Sequence, residues 1–109
     1  MQRKFLISYT VKSQKDTESC QDLASDVRKD IAKIEELHEI QHLETTRYGW
    51  FDADSTSSRE RRDALEQHIT KEFKKILKEH EAHEKLVIIY CSMMLENSGG
   101  EFHFNVSYR

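Results

Sequence analysis

The residues that could do chemistry here are few, and the sharpest group is His38-Glu39-Ile40-Gln41-His42. An H-E-x-x-H string on a helix sets two imidazoles one turn apart to bind zinc, with the glutamate as general base. In this chain that would make His38 and His42 the ligands and Glu39 the base of a zinc hydrolase. The chemistry needs an unbroken helix through all five residues and a third ligand. The apolar stripe that would carry the helix runs out near His38, and the H-x-x-G-x-x-H extension is missing. The metal reading therefore stays an alternative, and the assignment from sequence is no metal, no catalytic residue and no cofactor.

The other candidates have structural readings that serve better. His80 continues the apolar stripe of Phe73, Ile76 and Leu77, which suits a half-buried packing histidine, and His83 belongs to the solvated helix end. Cys20 and Cys91 lie in apolar surroundings, where thiols are inert, and two cysteines make no disulfide framework. Arg59, Arg61 and Arg62 are interrupted by Glu60 and followed by Asp63, an ordinary helix start. Tyr48, Trp50, Phe102, Phe104 and Tyr108 could stack nucleic-acid bases, but only Arg47 and Arg109 stand near them. Base-stacking platforms are normally ringed with cations, so packing is expected instead.

The elements that must position these residues follow from pattern. Phe5 to Val11 is almost continuously apolar and β-branched or aromatic, which reads as a central strand covered on both faces. Asp16 or Thr17 caps a helix whose stripe is Cys20, Leu23, Ala24, Val27, Ile31 and Ile34, running to about His38. Residues 39–54 read as one bent strand or as a hairpin turning around Thr45 to Gly49. Ser57 and Glu60 form a capping box for a second helix with the stripe Leu65, Ile69, Phe73, Ile76 and Leu77, running to about His83. Leu86 to Leu95 reads as a buried strand, Asn97 to Gly100 as a loop, and Phe102, Phe104, Val106 and Tyr108 alternate with polar residues as a final strand.

This order predicts a single α+β domain over residues 1–109. Its two helices lie on one face of an antiparallel sheet, in the ferredoxin-like β-α-β-β-α-β arrangement with an extra C-terminal strand. The dry side of that last strand has too much apolar surface to leave wet. A symmetric homodimer packed sheet to sheet through Phe102, Phe104, Val106 and Tyr108 is the expected solution.

Composition bounds the function. The chain has 109 residues, 37% hydrophobic and 34% charged, with no proline, three glycines and a formal charge of −3. That balance lacks the basic footprint of a dedicated nucleic-acid-binding domain. Sign-alternating runs such as Lys71-Glu72-Phe73-Lys74-Lys75 read as solvated helix faces that favour a protein partner. No apolar run approaches the ~20 residues of a membrane span. The first residues read as a strand rather than a signal peptide, so a reducing, cytoplasmic setting is expected.

In element order, and in Phe5 to Val11, the compact hairpin Leu43 to Asp54, the cap-then-helix Ser55 to Glu60 and the strand Leu86 to Met93, the chain resembles the small ferredoxin-like proteins of the CRISPR adaptation-subunit (Cas-two) and VapD superfamily. The resemblance spans most of the chain as pattern rather than as a diagnostic motif. It implies a sheet-packed homodimer, in a nucleic-acid-handling or defence setting. Nuclease-active members of that superfamily end the first strand in an aromatic residue followed by aspartate, whose carboxylates hold a metal ion at the dimer seam. This sequence has Tyr9-Thr10 there, and a hydroxyl is a poor ligand for a hard divalent cation. The expected function is thus a non-catalytic homodimeric binding module acting on a macromolecular partner. A divergent metal-dependent ribonuclease using Tyr9 and a neighbouring acid, the zinc hydrolase, and an acidic inhibitor of a nucleic-acid enzyme are the alternatives.

Overall fold

The computed structural model describes residues 2–109. Seven elements follow in chain order: β1 (Gln2–Ser13), α1 (Glu18–Ile31), β2 (His38–Ile40), β3 (Leu43–Asp52), α2 (Ser58–Glu79), β4 (Val87–Leu95) and β5 (Phe102–Val106). The five strands form one antiparallel sheet in the order β2-β3-β1-β4-β5. The architecture is α+β.

Both helices cover one face. Phe5, Ile7, Tyr9 and Val11 of β1 and Val87, Ile89, Cys91, Met93 and Leu95 of β4 point into the core. They meet Ala24, Val27 and Ile31 of α1 and Leu65, Ile69, Phe73, Ile76 and Leu77 of α2. Tyr9 and Phe73 meet edge to face with centroids 5.9 Å apart, a geometry that adds about 1 kcal/mol beyond the area buried.

β1 lies at the centre of the sheet, but it is not covered on both sides. Its burial alternates strictly, with Leu6, Ser8, Thr10 and Lys12 exposed between the core residues, and β4 alternates in the same register. The continuous apolar run hid this alternation because the uncovered face is itself partly apolar.

The helix starts fall where capping chemistry places them. Thr17 Oγ1 accepts from the Cys20 N–H (3.3 Å) and Ser57 Oγ from the Glu60 N–H (3.4 Å). The capping box is only half closed, since the Glu60 carboxylate accepts from the Ser55 hydroxyl instead of the Ser57 N–H.

α1 ends at Ile31, seven residues before His38. Ala32 caps it, and successive tight turns follow, with the N–H groups of Lys33, Ile34 and Leu37 each donating to the carbonyl three residues back. The apolar spacing continues past the helix because Ile34 and Leu37 still reach the core from these turns.

The hairpin also turns earlier than the sequence suggests. Ile40 pairs with Leu43, His42 takes a left-handed conformation (φ 69°), and β3 runs unbroken through Thr45 to Gly49. Gly49 is required by close approach. A Cβ there would lie 2.6 Å from both the Phe5 ring and the Glu36 carbonyl oxygen.

Candidate functional site

The register decides which side chains share the uncovered face. Leu6 pairs with Tyr48 on one side and Met94 on the other, Lys4 with Trp50, Ser8 with Thr46 and Ser92, and Thr10 with Tyr90. Ser92 and Tyr90 in turn pair with His103 and Asn105, and His38 pairs with Tyr48. All of these therefore face away from the helices.

Among the described residues, four of the five exposed large hydrophobic side chains stand on this face: Leu6 (42%), Trp50 (50%), Tyr90 (43%) and Met94 (49%). A half-exposed tryptophan beside exposed leucine and methionine is the kind of apolar surface that marks interaction sites.

Polar groups are set among the apolar ones. Lys4 Nζ lies 4.7 Å from the Tyr48 ring centre and 6.0 Å from that of Trp50, so one cation serves two aromatic faces. The His38 ring lies on Tyr48 from the other strand, with centroids 5.1 Å apart. The Ser8 and Thr46 hydroxyls are 3.3 Å apart. Toward β5 an open depression of about 470 Å³ is lined by Ser8, Thr10, Tyr90, Ser92, His103 and Asn105, with Cys91 and Phe104. Its polar lining is hydroxyl, amide and imidazole rather than carboxylate.

The residues expected at a dimer contact are placed elsewhere. Phe102, Phe104 and Val106 point to the helix side of β5, where Val106 is buried and the two phenylalanines pack against the core. Tyr108 lies beyond the strand, its ring stacked on His83 at 4.9 Å and its carbonyl accepting from the Glu84 N–H. The dry side of the last strand therefore completes the core. Any sheet-to-sheet contact through the open face draws on Leu6, Trp50, Tyr90 and Met94 instead.

The H-E-x-x-H string is not helical. His38 and Glu39 lie in β2, pointing to opposite faces, and His42 sits in the hairpin turn. The one-turn spacing that zinc chemistry needs is thereby lost. Among the described residues no group of three or more His, Cys, Asp or Glu is gathered as a metal site would be.

Tyr9 is buried on the helix side, so the residue a divergent ribonuclease would use is inaccessible. Burial pushes its phenol up from the ordinary value of 10.0, while the guanidinium groups of Arg47 and Arg28 pull it back. Although Arg47 lies close enough to act on the phenol, neither Tyr9 Oη nor Arg47 Nε makes a hydrogen bond of good geometry. Cys20 is buried, with its thiol donating to the Leu86 carbonyl at 2.9 Å. The Cys91 thiol is pushed up to about 12, chiefly by burial and then by Glu66. Neither has the exposed, electropositive setting of a nucleophile.

His80 is half-buried at the C-terminus of α2, its Nε2 2.6 Å from Asp30 Oδ2. That contact, ahead of the Lys33 ammonium, holds the Asp30 carboxyl below its ordinary 3.8.

The basic run holds one residue whose role its sequence does not disclose. Arg61 is buried, with no carboxylate within ion-pair distance among the described residues. It donates from Nε to Ser98 Oγ (2.8 Å), from Nη1 to the Ser55 carbonyl (3.1 Å), and from Nη2 to Ser58 Oγ (3.1 Å) and the Asn97 carbonyl (2.6 Å). It ties the start of α2 to the loops on both sides.

Comparison with protein families, with curated proteins and with solved structures finds no match to this chain. Among the described residues no helix is long and apolar enough to cross a membrane.

Proposed function

We propose that the chain is a non-catalytic binding module of the ferredoxin-like type that works as a homodimer, paired through the open face of its sheet. The order β2-β3-β1-β4, with both helices on one side and β5 added beside β4, supports the ferredoxin-like reading. The observation that carries the functional reading is the uncovered apolar surface. A monomer of 13.0 kDa typically exposes about 6,300 Å², whereas this chain exposes 7001 Å². The excess approaches the ~800 Å² per partner of a standard interface. A second copy is the occupant this favours. An isologous contact lets Leu6, Met94, Tyr90 and Trp50 bury against their own kind without demanding a complementary charge pattern. The helix layer, mixed in charge, is then left to face a macromolecular partner.

Light scattering tests this directly. The expected molar mass at tens of micromolar is twice 13.0 kDa. Leu6→Lys, at the centre of the face between Tyr48 and Met94, should yield a folded monomer. Trp50, the one tryptophan, gives a second readout, since its emission should shift to the red as the dimer is diluted apart. A parent protein that stays monomeric, or a Leu6→Lys variant that stays dimeric, refutes the reading.

A further inference from the structure

Two of the six histidines stand on the open face, on the strands that flank its apolar centre: His38 on β2 and His103 on β5. The others are placed differently. His68 and His80 each hold a carboxylate at 2.6–3.1 Å, His83 stacks on Tyr108, and His42 sits in the hairpin turn. His38 has no acidic partner within ion-pair distance among the described residues. Its ring lies on Tyr48, whose own ring carries the Lys4 ammonium at 4.7 Å. Across β3 it faces Tyr48, with Thr46 and Trp50 to either side and Lys4 and Leu6 beyond on β1. By strand alternation the acids of β3 on this face, Glu44 and Asp52, stand at its two ends, and on the far side of β1 the Glu96 carboxylate accepts from the Lys4 N–H at 3.2 Å. A proton on His38 thus adds a second cation beside a ring that already carries one.

His103 faces Ser92 on β4, flanked by Tyr90 and Met94. Among the described residues its one partner within ion-pair distance is Glu101, with Nε2 3.8 Å from Oε1 and both side chains about two-thirds exposed, so that pair is weak in water.

We infer that these histidines gate the pairing of the open faces by pH, the dimer holding together while both imidazoles are neutral and separating once they are protonated. This rests on the sheet-to-sheet reading above and deepens it. Imidazole changes charge between pH 5 and 8. Covering the face removes water from His38 and His103, and burying an unpaired cation is costly. The bound pair therefore excludes the protonated forms, and proton uptake drives dissociation. Each imidazole that must stay neutral makes dissociation about tenfold easier per pH unit below its titration. The two copies of His38 in a dimer give roughly 100-fold per unit. His103 adds to this less than fully, because Glu101 offsets part of its charge.

The test is the dimer dissociation constant of the full chain between pH 8.0 and 5.5 by analytical ultracentrifugation. It covers the parent, His38→Gln and His38→Gln/His103→Gln, with far-ultraviolet circular dichroism to follow the fold. The expected result is a dimer at pH 8.0 whose dissociation constant rises at least tenfold by pH 5.5 with the fold intact. That rise should shrink in the single variant and vanish in the double one. A dimer whose affinity is flat with pH overturns the inference while leaving the sheet-to-sheet reading standing. So does a pH effect that survives in the double variant, or one that coincides with loss of fold. A monomer at pH 8.0 overturns both.

Discussion

Removing the Arg61 guanidinium should destabilise the fold more than any other surface-adjacent change in the chain. Arg61 is 6% exposed and makes four hydrogen bonds to three separate segments: the Ser55 turn, the first turn of α2 and the Asn97-Ser98 loop. Hydrogen bonds from a charged donor contribute about 1.5–3 kcal/mol each. Four of them would overshoot, because burying a guanidinium without a carboxylate carries its own desolvation cost.

In Arg61→Met the stem is replaced by apolar atoms of similar length. The main loss is then at the Ser55 and Asn97 carbonyls, which lose their donor at ~1–2 kcal/mol each where water cannot reach them. The net expectation is about 3 kcal/mol. Arg61→Lys should lose most of it too, since one ammonium cannot span three segments as a planar fork does. With a urea slope of ~1.5 kcal/mol/M, the midpoint falls by about 2 M. Equilibrium urea unfolding followed by circular dichroism measures this. A midpoint for Arg61→Met within about 0.3 M of the parent would mean that these bonds only replace water at no net gain, and the clamp argument would be wrong.

Two further outcomes follow from buried and paired groups. Tyr9→Phe removes a buried hydroxyl that makes no hydrogen bond of good geometry, so it should leave stability unchanged or raise it by up to ~1 kcal/mol; a loss above 1 kcal/mol would show that the hydroxyl is paired after all. Asp30, held below its ordinary value first by His80 and also by Lys33, binds its proton more readily in the unfolded chain than in the folded one. Its contribution is therefore complete above about pH 4, the unfolded titration, and is lost as pH falls through the lowered folded value. Thermal unfolding between pH 6 and 2 should show this loss, and Asp30→Asn should flatten that part of the curve. An identical slope in the variant would remove the pair as its cause.

Most of the fold was legible because the local signals agree with one another. Leu65, Ile69, Phe73, Ile76 and Leu77 recur at helical spacing behind a serine cap, and every one of them is buried. The misreadings share a physical origin, which is that apolar spacing reports burial and not backbone conformation. Ile34 extends the stripe of α1 past its real end because turns can also aim side chains at a core, as they do for Leu37. That single error is what made a helical H-E-x-x-H conceivable. On β1 and β4, Leu6 and Met94 filled the positions that would otherwise have shown the sheet to be one-sided. Ser8, Thr10, Lys12 and Ser92, falling at every second residue, were the available signal of an uncovered face. On β5 the alternation was clear, but a sequence cannot say which of two faces its dry side meets. Arg61 was indistinguishable from its neighbours, since only the folded Ser55 turn, the first turn of α2 and the Asn97-Ser98 loop give it acceptors.

The threonine at position 10 bears on the pairing proposed above. Thr10 lies on the open face, in the depression it shares with Ser8, Ser92, His103 and Asn105. A carboxylate at that position, brought close to its symmetry mate in a face-to-face pair, would repel it unless a cation lay between them. In a desolvated contact that repulsion is far stronger than in water. A hydroxyl carries no such requirement, because it can donate and accept and its hydrogen rotates to suit whichever neighbour it meets. With hydroxyls at Ser8, Thr10 and Ser92 beside an apolar centre of Leu6, Met94 and aromatic rings, two such faces could pair with no metal ion between them. Ionisable imidazoles then remain only on the flanking strands. On the pairing proposed above, such a face would meet a second copy of the chain with His38 and His103 at its flanks.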